Sequence, residues 1–387
     1  MKDCKLLFEE NNITDFNYKI KKNLKLRDKR LVYTMDVGGL FNGDHILEII
    51  SVVNYVKKYY RQKIPITIYA GEFEFYDKLV YIILENIAHY LNKVDGHSFE
   101  IQFRANHNIW TEGIRYSTLV NSNVQEFKSR YFPFIRDPYR WDVSMKHFRK
   151  VVPEKKNDEY LSKLLQDVYV FLINNEIEEV TCEKLAEVIV ELVGNAGEHG
   201  ETECMLDIDI TENDYGKKNE DGEFYGLNVV VLNYSTTLFF EPLKEKLSSD
   251  CKFSQRYTQV LKAKEYHFSH FNENYKENDF FTVSSFQHKI SGSREKDELG
   301  GTGLTSLLRS LEEDSDTHLC YMLSGRRILF FEKEHMLYDE NEYVGFNKNK
   351  NFFSEIPDKY AFKSIKTFFP GVAYNLNYAV KKEQIYE

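Results

Sequence analysis

The sequence contains few cysteines and none of the cysteine patterns that build disulfide frameworks or zinc sites. Its five cysteines are odd in number and widely spaced, and no two of them form a C-x-x-C pair. An odd, scattered set argues against disulfide pairing, and the missing pairs argue against a zinc cluster. Free cysteines are typical of the reducing cytoplasm, so we expect a cytoplasmic protein.

Long apolar runs, glycine and proline are also scarce. The N-terminal segment MKDCKLLFEENNITDF lacks the apolar stretch of a signal peptide. No later run approaches the ~20 apolar residues that cross a bilayer. With 19 glycines, 7 prolines and no internal period, the chain does not fit a solenoid or a collagen-like array. We therefore expect a soluble protein without membrane contact.

Basic residues are fewer than acidic residues. Lys+Arg number 51 and Asp+Glu number 61, so the net charge is 51 − 61 = −10, which argues against a main task of neutralising nucleic-acid phosphates. Hydrophobic residues make up 42% of the 387 residues and aromatic residues 15%, which is sufficient for a substantial core. At roughly 100–200 residues per domain, this length predicts two domains.

The first third of the chain alternates between strand and helix patterns. RLVYTMDV from Arg30, PITIYAG over Pro65–Gly71 and SFEIQFRA near residue 100 are typical of strands, and amphipathic helical patterns separate them. Such alternation predicts a small α/β domain over residues 1–106 with a largely parallel sheet. Its layout resembles the STAS domains found beside regulatory ATPases.

Residues 107–152 break this pattern. The segment YFPFIRDPYRWDVSMKHFRKVVP mixes aromatic and basic residues and holds three of the seven prolines. Aromatic residues interleaved with arginine also suit stacking on single-stranded nucleic acid, but the acidic chain favours a linker or an inter-domain packing segment. We predict such a linker here.

A helix predicted over residues 181–200 carries the most informative polar residues. Its sequence TCEKLAEVIVELVGNAGEHG has an apolar face, and Glu191 and Asn195 lie one turn apart on another face. Gly194 and Gly197 flank the asparagine, and each costs up to ~1 kcal/mol relative to alanine in a helix interior. Small residues beside an amide and a carboxylate indicate space for a bulky group.

The segment E-L-x-x-N-A-x-x-H-G that begins at Glu191 resembles the N-box of the GHKL superfamily, which includes gyrase-type topoisomerases, Hsp-class chaperones, histidine kinases and MutL-type repair proteins. The resemblance implies that the side-chain oxygen of Asn195 holds Mg²⁺ against the triphosphate of ATP. It also implies that Glu191 acts as general base on the attacking water, and that His199 lies near the phosphates. A histidine at a helix end is equally typical of a simple dipole-stabilising residue.

Two further segments of the chain extend this resemblance. The strand-like GLNVVVLN ends at Asn233, where the superfamily has the aspartate of its first glycine box, and Ser235 lies in the stretch that replaces its glycines. Asn233 is thereby implied as the base contact and Ser235 as a further nucleotide-binding residue, although an asparagine both accepts and donates hydrogen bonds. Val372 follows Gly371 where the superfamily often has threonine, so the base site departs from the family pattern twice.

A glycine-rich turn precedes the next helical pattern. Gly300-Gly301-Thr302-Gly303-Leu304 resembles the second glycine box, and the amides at such a helix start favour a phosphate.

The polar stretch 243–299 resembles the lid that closes over the triphosphate in this superfamily. Arg294 and Lys296, just before the glycines, are the candidates for a γ-phosphate contact, and solvated lid charges are the alternative.

Together these features predict an α+β protein. Residues 153–387 are expected to form a Bergerat-type (GHKL) α/β sandwich, in which a mixed sheet carries helices on one face, preceded by the smaller α/β domain. The resemblance implies an ATP- and Mg²⁺-dependent ATPase whose lid closure or dimerisation regulates a partner protein, and a protein from the same operon is a candidate for that partner. The alternatives are a serine/threonine kinase of the anti-sigma-factor kind and a non-hydrolysing nucleotide-dependent binding module.

Overall fold

The computed structural model describes residues 1–35, 38–60, 62–70, 73–75, 77–102, 146–154, 158–200, 202–215, 222–249, 254–292, 301–315 and 320–383. The N-terminal elements, together with a 3₁₀ turn Lys2–Cys4 and a π-helical segment Tyr90–Asp95, are α1 Lys5–Glu10, α2 Asn17–Asn23, β1 Leu24–Arg27, β2 Arg30–Thr34, β3 Gly39–Leu40, α3 Gly43–Tyr59, β4 Ile66–Tyr69, β5 Phe73–Glu74, α4 Lys78–His89 and β6 Phe99–Gln102. The C-terminal elements are β7 His147–Val152, α5 Asp158–Ile173, α6 Glu179–Gly200, β8 Cys204–Tyr215, β9 Phe224–Asn233, α7 Glu241–Leu247, α8 Gln255–Phe268, α9 Glu277–Ser285, α10 Gly303–Asp314, β10 Tyr321–Phe330 and β11 Phe362–Lys381.

The N-terminal sheet has the strand order β1-β2-β4-β6. Strands β2, β4 and β6 are parallel to one another, and β1 pairs antiparallel with β2. Helices α3 and α4 make the crossovers between the parallel strands, as the alternating sequence pattern predicts. A short parallel pair, β3 and β5, lies apart from this sheet.

A two-residue turn joins β1 to β2, and its backbone is unusual for its residues. Asp28 and Lys29 have φ values of 47° and 62°, the positive values that a tight hairpin turn requires at both central positions. For a side chain larger than that of glycine, this left-handed conformation costs roughly 1–2 kcal/mol.

We expect Lys29→Gly to stabilise the protein by up to ~1 kcal/mol, because glycine removes that strain while losing more chain entropy on folding. The midpoint of denaturant unfolding measures the effect. Lys25→Gly, within strand β1, is the control and should lower the midpoint. A lower midpoint for Lys29→Gly would contradict the assigned turn.

The C-terminal sheet has the strand order β10-β11-β9-β8-β7. All four of its strand pairings are antiparallel, so the mixed arrangement expected for this part of the chain is found only in the N-terminal sheet. Helix α6, the strand that ends at Asn233 and helix α10 follow one another as the sequence interpretation predicts, whereas β8 was not predicted.

Strand β7 corrects the predicted linker 107–152. The last six residues of that range belong to the C-terminal sheet, where β7 pairs with β8. The strand pattern is hidden in the sequence because its two central charged residues, Arg149 and Lys150, are buried and neutralised by ion pairs.

Helices cover both faces of the C-terminal sheet, whereas the sequence interpretation placed them on one face. Helices α6 and α10 contact one face, and α1, α3 and α4 of the N-terminal part contact the other. Strand β9 shows why, because all ten of its residues are buried. Val229 and Val231 belong to the core beneath α6, whereas Val230 and Leu232 belong to the core shared with the N-terminal part.

A lysine of α4 is buried against this sheet. Lys78 is 2% exposed, and its ammonium group lies 2.7 Å from a carboxylate oxygen of Asp207 and also pairs with Asp209, both on β8 and both fully buried. Lys78 Nζ also donates to the backbone carbonyl of Asn228, at 3.1 Å. With the backbone carbonyl of Asp207 at 3.4 Å, the ammonium group lies among four oxygen acceptors at the contact between the two parts of the chain.

Strand β7 adds further charges to this network. Arg149 pairs with Asp207 and, at 2.6 Å, with Glu85 of α4, and His147 Nε2 lies 3.0 Å from Asp207. Burial opposes ionisation of Asp207, but Arg149, Lys78 and His147 hold its pKa well below its usual value. The network therefore joins α4 to β7 and β8 through buried charges.

The described part of stretch 243–299 is mostly helical, formed by most of α7 with α8 and α9. Tyr257, Phe280 and Phe286 of this region are fully buried in the core. No helix among the described residues is both long and apolar enough to cross a membrane.

Candidate functional site

Three segments that are far apart in sequence meet at one cavity of about 90 Å³. They are the second half of α6, the end of β9 and the glycine turn that starts α10. Six residues expected at a nucleotide site line this cavity: Glu191, Asn195, Asn233, Gly301, Gly303 and Leu304.

Helix α6 positions two of these side chains. Leu185, Ile189 and Leu192 are fully buried and anchor the helix on the sheet. Glu191 is exposed and Asn195 is half-buried. Because these two residues are four apart, the carboxylate and the amide lie one turn apart on the same side of the helix.

The glycines at the start of α10 are required by close contacts. A Cβ atom at Gly303 would overlap the side chain of Glu191, so the helix start lies directly against the carboxylate-bearing turn of α6. Gly301 has a φ of 84°, and a Cβ there would overlap the backbone of Ile290. Both positions therefore need glycine, for separate reasons.

No side chain among the described residues caps the first turn of α10. Thr302 is the N-cap residue, and its side chain makes no capping hydrogen bond. The opening amides of a helix have no partner within the helix. Without a side-chain cap from Thr302, they suit an anion at this end of the cavity.

Asn233, at the end of β9, contributes an unsatisfied acceptor. The residue is 2% exposed, and its Nδ2 lies 3.4 Å from the hydroxyl of Thr202. Its Oδ1 has no hydrogen-bond partner among the described residues. A buried acceptor without a donor costs about 1–3 kcal/mol, so a ligand that donates a hydrogen bond here would recover that energy.

Glycines also surround Asn233. A Cβ at Gly200 would overlap its side-chain amide, and one at Gly371, where φ is 97°, would overlap its backbone carbonyl. Side chains at either position would therefore displace the end of β9. The close packing fixes Asn233 at the cavity wall.

The structure does not bring every expected residue to the cavity. Ser235 is buried beside it, where its hydroxyl accepts from the amide of Thr237 at 3.0 Å, and it does not line the cavity. Thr302 is exposed at the helix cap. His199 lies in α6, without a described side chain, and Arg294, Lys296 and Gly300 lie outside the described residues.

The apolar walls of the cavity were not anticipated from the sequence. Leu238, Phe239, Leu243, Ile290 and Tyr374 line it. The run TTLFFEPL that follows β9 is a signal that could have indicated the first three. Val372, which stands where the superfamily often has threonine, also lines the cavity.

A metal ion would have few protein ligands here. No group of three or more His, Cys, Asp or Glu side chains that could hold a metal occurs among the described residues. Mg²⁺ commonly takes one or two protein oxygens and completes its shell with phosphates and waters. Asn195 could supply one such protein oxygen, but only if a phosphorylated ligand supplied further oxygens to the metal.

Comparison with known proteins adds no family assignment. No protein-family model matches the sequence, and neither the search of curated proteins nor the search of solved structures found a match. The residues of the cavity are therefore what indicates a function for this protein.

Proposed function

We propose that this protein binds Mg-ATP at the cavity between α6, β9 and α10, hydrolyses it, and uses its nucleotide state to regulate a partner protein in the cytoplasm. One observation carries the proposal: the six residues of the cavity come from three distant segments, and each was expected there from a nucleotide-binding motif. A coincidental resemblance gives no reason for those segments to meet.

Each group has a role that its chemistry supports. Asn233 Oδ1 accepts a hydrogen bond from the amino group of the base, and the amides at the start of α10 bind phosphate oxygens. Asn195 supplies an oxygen to the metal, and Glu191 accepts a proton from the attacking water. Bound Mg²⁺ would neutralise charge on the phosphates.

Two properties of the protein set conditions on binding. A net charge of −10 repels a free triphosphate, so binding should depend strongly on magnesium. The cavity of about 90 Å³ is also below the range of about 300 Å³ and more that ligand sites usually have. We therefore expect the walls to separate when a whole nucleotide binds.

Phosphoryl transfer to a protein is the second candidate, since the N-terminal α/β part resembles a STAS domain. That part packs on the sheet face opposite α6 and α10, away from the amides that would hold the phosphates. This arrangement favours hydrolysis, or transfer to a separate partner, over transfer within the chain.

Binding of a fluorescent ATP analogue tests the proposal. We expect magnesium-dependent binding that Asn195→Ala weakens about tenfold or more, equivalent to about 1.4 kcal/mol or more, because the metal loses its protein oxygen. Asn349→Ala, at an exposed asparagine bonded to Glu355, is the matched control and should bind normally. If the wild-type protein shows no magnesium-dependent binding, the proposal is wrong.

A further inference from the structure

A strongly basic segment lies at one edge of the N-terminal sheet. Residues 18–30, YKIKKNLKLRDKR, contain seven Lys and Arg and one Asp, so their net charge is 7 − 1 = +6. The rest of the chain is correspondingly acidic, because the whole protein carries −10. We call this segment, which covers most of α2, strand β1 and the turn into β2, the basic edge.

Most of these cations have no ion-pair partner among the described residues. Lys19 pairs with Glu48 at 2.8 Å, and Arg30 pairs with Glu100. The others are exposed and form no ion pair with any described residue: Lys21, Lys22, Lys25, Arg27 and Lys29. Surface cations usually occur among charges of both signs, so five unpaired cations in one short segment form a distinct positive patch.

The same segment has an open strand edge. Strand β1 pairs only with β2, and no other described strand pairs with its outer side. The pair Arg27 and Arg30 closes the two-residue turn, and the N–H of Leu24 already donates to the carbonyl of Ile20. Alternation along an antiparallel ladder therefore leaves the N–H and C=O of Leu26 and the C=O of Leu24 directed outwards. These are the groups that an added strand would bond.

Exposed apolar side chains accompany the open edge. Leu26 is 63% exposed and Tyr18 is 83% exposed. Leu26 therefore offers an apolar contact beside the outward-facing backbone groups, with lysine and arginine on both sides of it in the sequence.

We propose that the basic edge docks an acidic segment of a partner protein, which adds to β1 as an extended strand. Backbone hydrogen bonds would supply affinity, and alternate side chains would supply specificity. The unpaired cations select glutamate and aspartate, and Leu26 selects an apolar residue between them. Nucleic acid or an anionic membrane would satisfy the charges but would leave the backbone edge and Leu26 unused.

The positive charges of the basic edge also protect the open strand against aggregation. Edge lysines prevent two identical edges from pairing, because two copies would bring +6 against +6. The same repulsion disappears when the incoming strand is acidic, so the charges that exclude a second copy admit a partner of opposite sign. This docking surface lies outside the nucleotide cavity, and the proposal holds whether or not ATP binds.

Fluorescence anisotropy with the full-length chain and no nucleotide tests the proposal. The probe is a labelled peptide of alternating glutamate and valine, long enough to pair along the whole of β1. We expect saturable binding that weakens as salt screens the charges. The same peptide with lysine in place of glutamate should not bind. Tighter binding of single-stranded DNA or of phosphatidylserine vesicles than of the glutamate peptide would overturn the assignment.

Variants separate charge from strand pairing. The triple variant Lys22→Glu, Lys25→Glu, Arg27→Glu should weaken binding of the glutamate peptide about tenfold or more and should gain binding of the lysine peptide. The control triple Lys348→Glu, Lys359→Glu, Lys363→Glu makes the same charge change at exposed lysines elsewhere. Equal weakening by both triples would show non-specific attraction and contradict the proposal.

The backbone edge has its own test. Leu26→Pro removes an outward N–H group and should abolish binding, whereas Leu26→Ala keeps that group and should retain part of it. Circular dichroism checks that both variants fold. If Leu26→Pro is folded and binds as well as Leu26→Ala, the peptide does not add as a strand.

Discussion

Replacement of Lys78 with methionine should destabilise the folded protein by about 3–5 kcal/mol, the usual cost of breaking a buried ion pair. The loss arises because the fully buried carboxyl groups of Asp207 and Asp209 would both lose the ammonium group that they contact. Methionine matches the length of the lysine stem, so little of the loss comes from packing. Denaturant unfolding followed by circular dichroism measures the change.

Two controls make this result specific to the charge. Lys58→Met, at an exposed lysine of α3, should change stability by at most about 0.5 kcal/mol. Adding Asp209→Asn to Lys78→Met should restore part of the loss, because one unpaired carboxylate is removed. If Lys78→Met unfolds like the Lys58 control, the buried network does not hold the two parts of the chain together.

The same buried network should also influence unfolding at low pH. The depressed pKa of Asp207 means that its stabilising contribution is present above the pKa of the unfolded chain and is lost as the pH falls through the lower, folded value. In Lys78→Met that carboxyl loses a cation, so its folded pKa rises. That change makes the acid-dependent loss due to Asp207 itself smaller, but the variant starts from a lower stability, so its acid unfolding should still begin at a higher pH than that of the wild-type protein.

The second large effect concerns catalysis. Glu191→Gln should slow ATP hydrolysis by about 10²–10⁴-fold, the contribution typical of a positioned general base, while nucleotide binding changes little. Glutamine keeps the shape of the side chain against Gly303 but cannot accept the proton from water. Phosphate release and equilibrium binding of the ATP analogue, measured on the same preparation, give both quantities.

Glu187→Gln is the matched control for this experiment. Glu187 lies one turn earlier on α6, is exposed, and does not line the cavity, so its replacement should leave hydrolysis unchanged. Unchanged hydrolysis in Glu191→Gln would remove Glu191 from the proposed role. With γ-labelled ATP, label on a partner protein rather than in free phosphate would support the kinase alternative.

Local patterns in the sequence predicted the elements on which the cavity is built. The apolar spacing of α6, the strand ending at Asn233 and the glycines before α10 are each recognisable within a few residues, because period and turn chemistry are local properties. These segments meet in space because all three belong to, or pack on, one sheet.

Other features depended on contacts that the sequence does not display. Strand β7 was missed because its charged residues are buried through partners as distant as Glu85 and Asp207. The helices on the second face of the C-terminal sheet were missed because the strand patterns alone do not show which elements cover that face. The apolar walls of the cavity were missed since Ile290 and Tyr374 join it only through the fold.

The two-sided covering of the C-terminal sheet limits how the protein can be divided for experiments. A fragment that lacks the N-terminal part would expose residues such as Val230, Leu232, Leu323 and Phe369, which are buried against it. A continuous apolar surface of that kind promotes association in water. The half that contains the proposed nucleotide site should therefore be studied within the whole chain, and a deletion that abolishes ATP binding would not by itself assign that site to the deleted part.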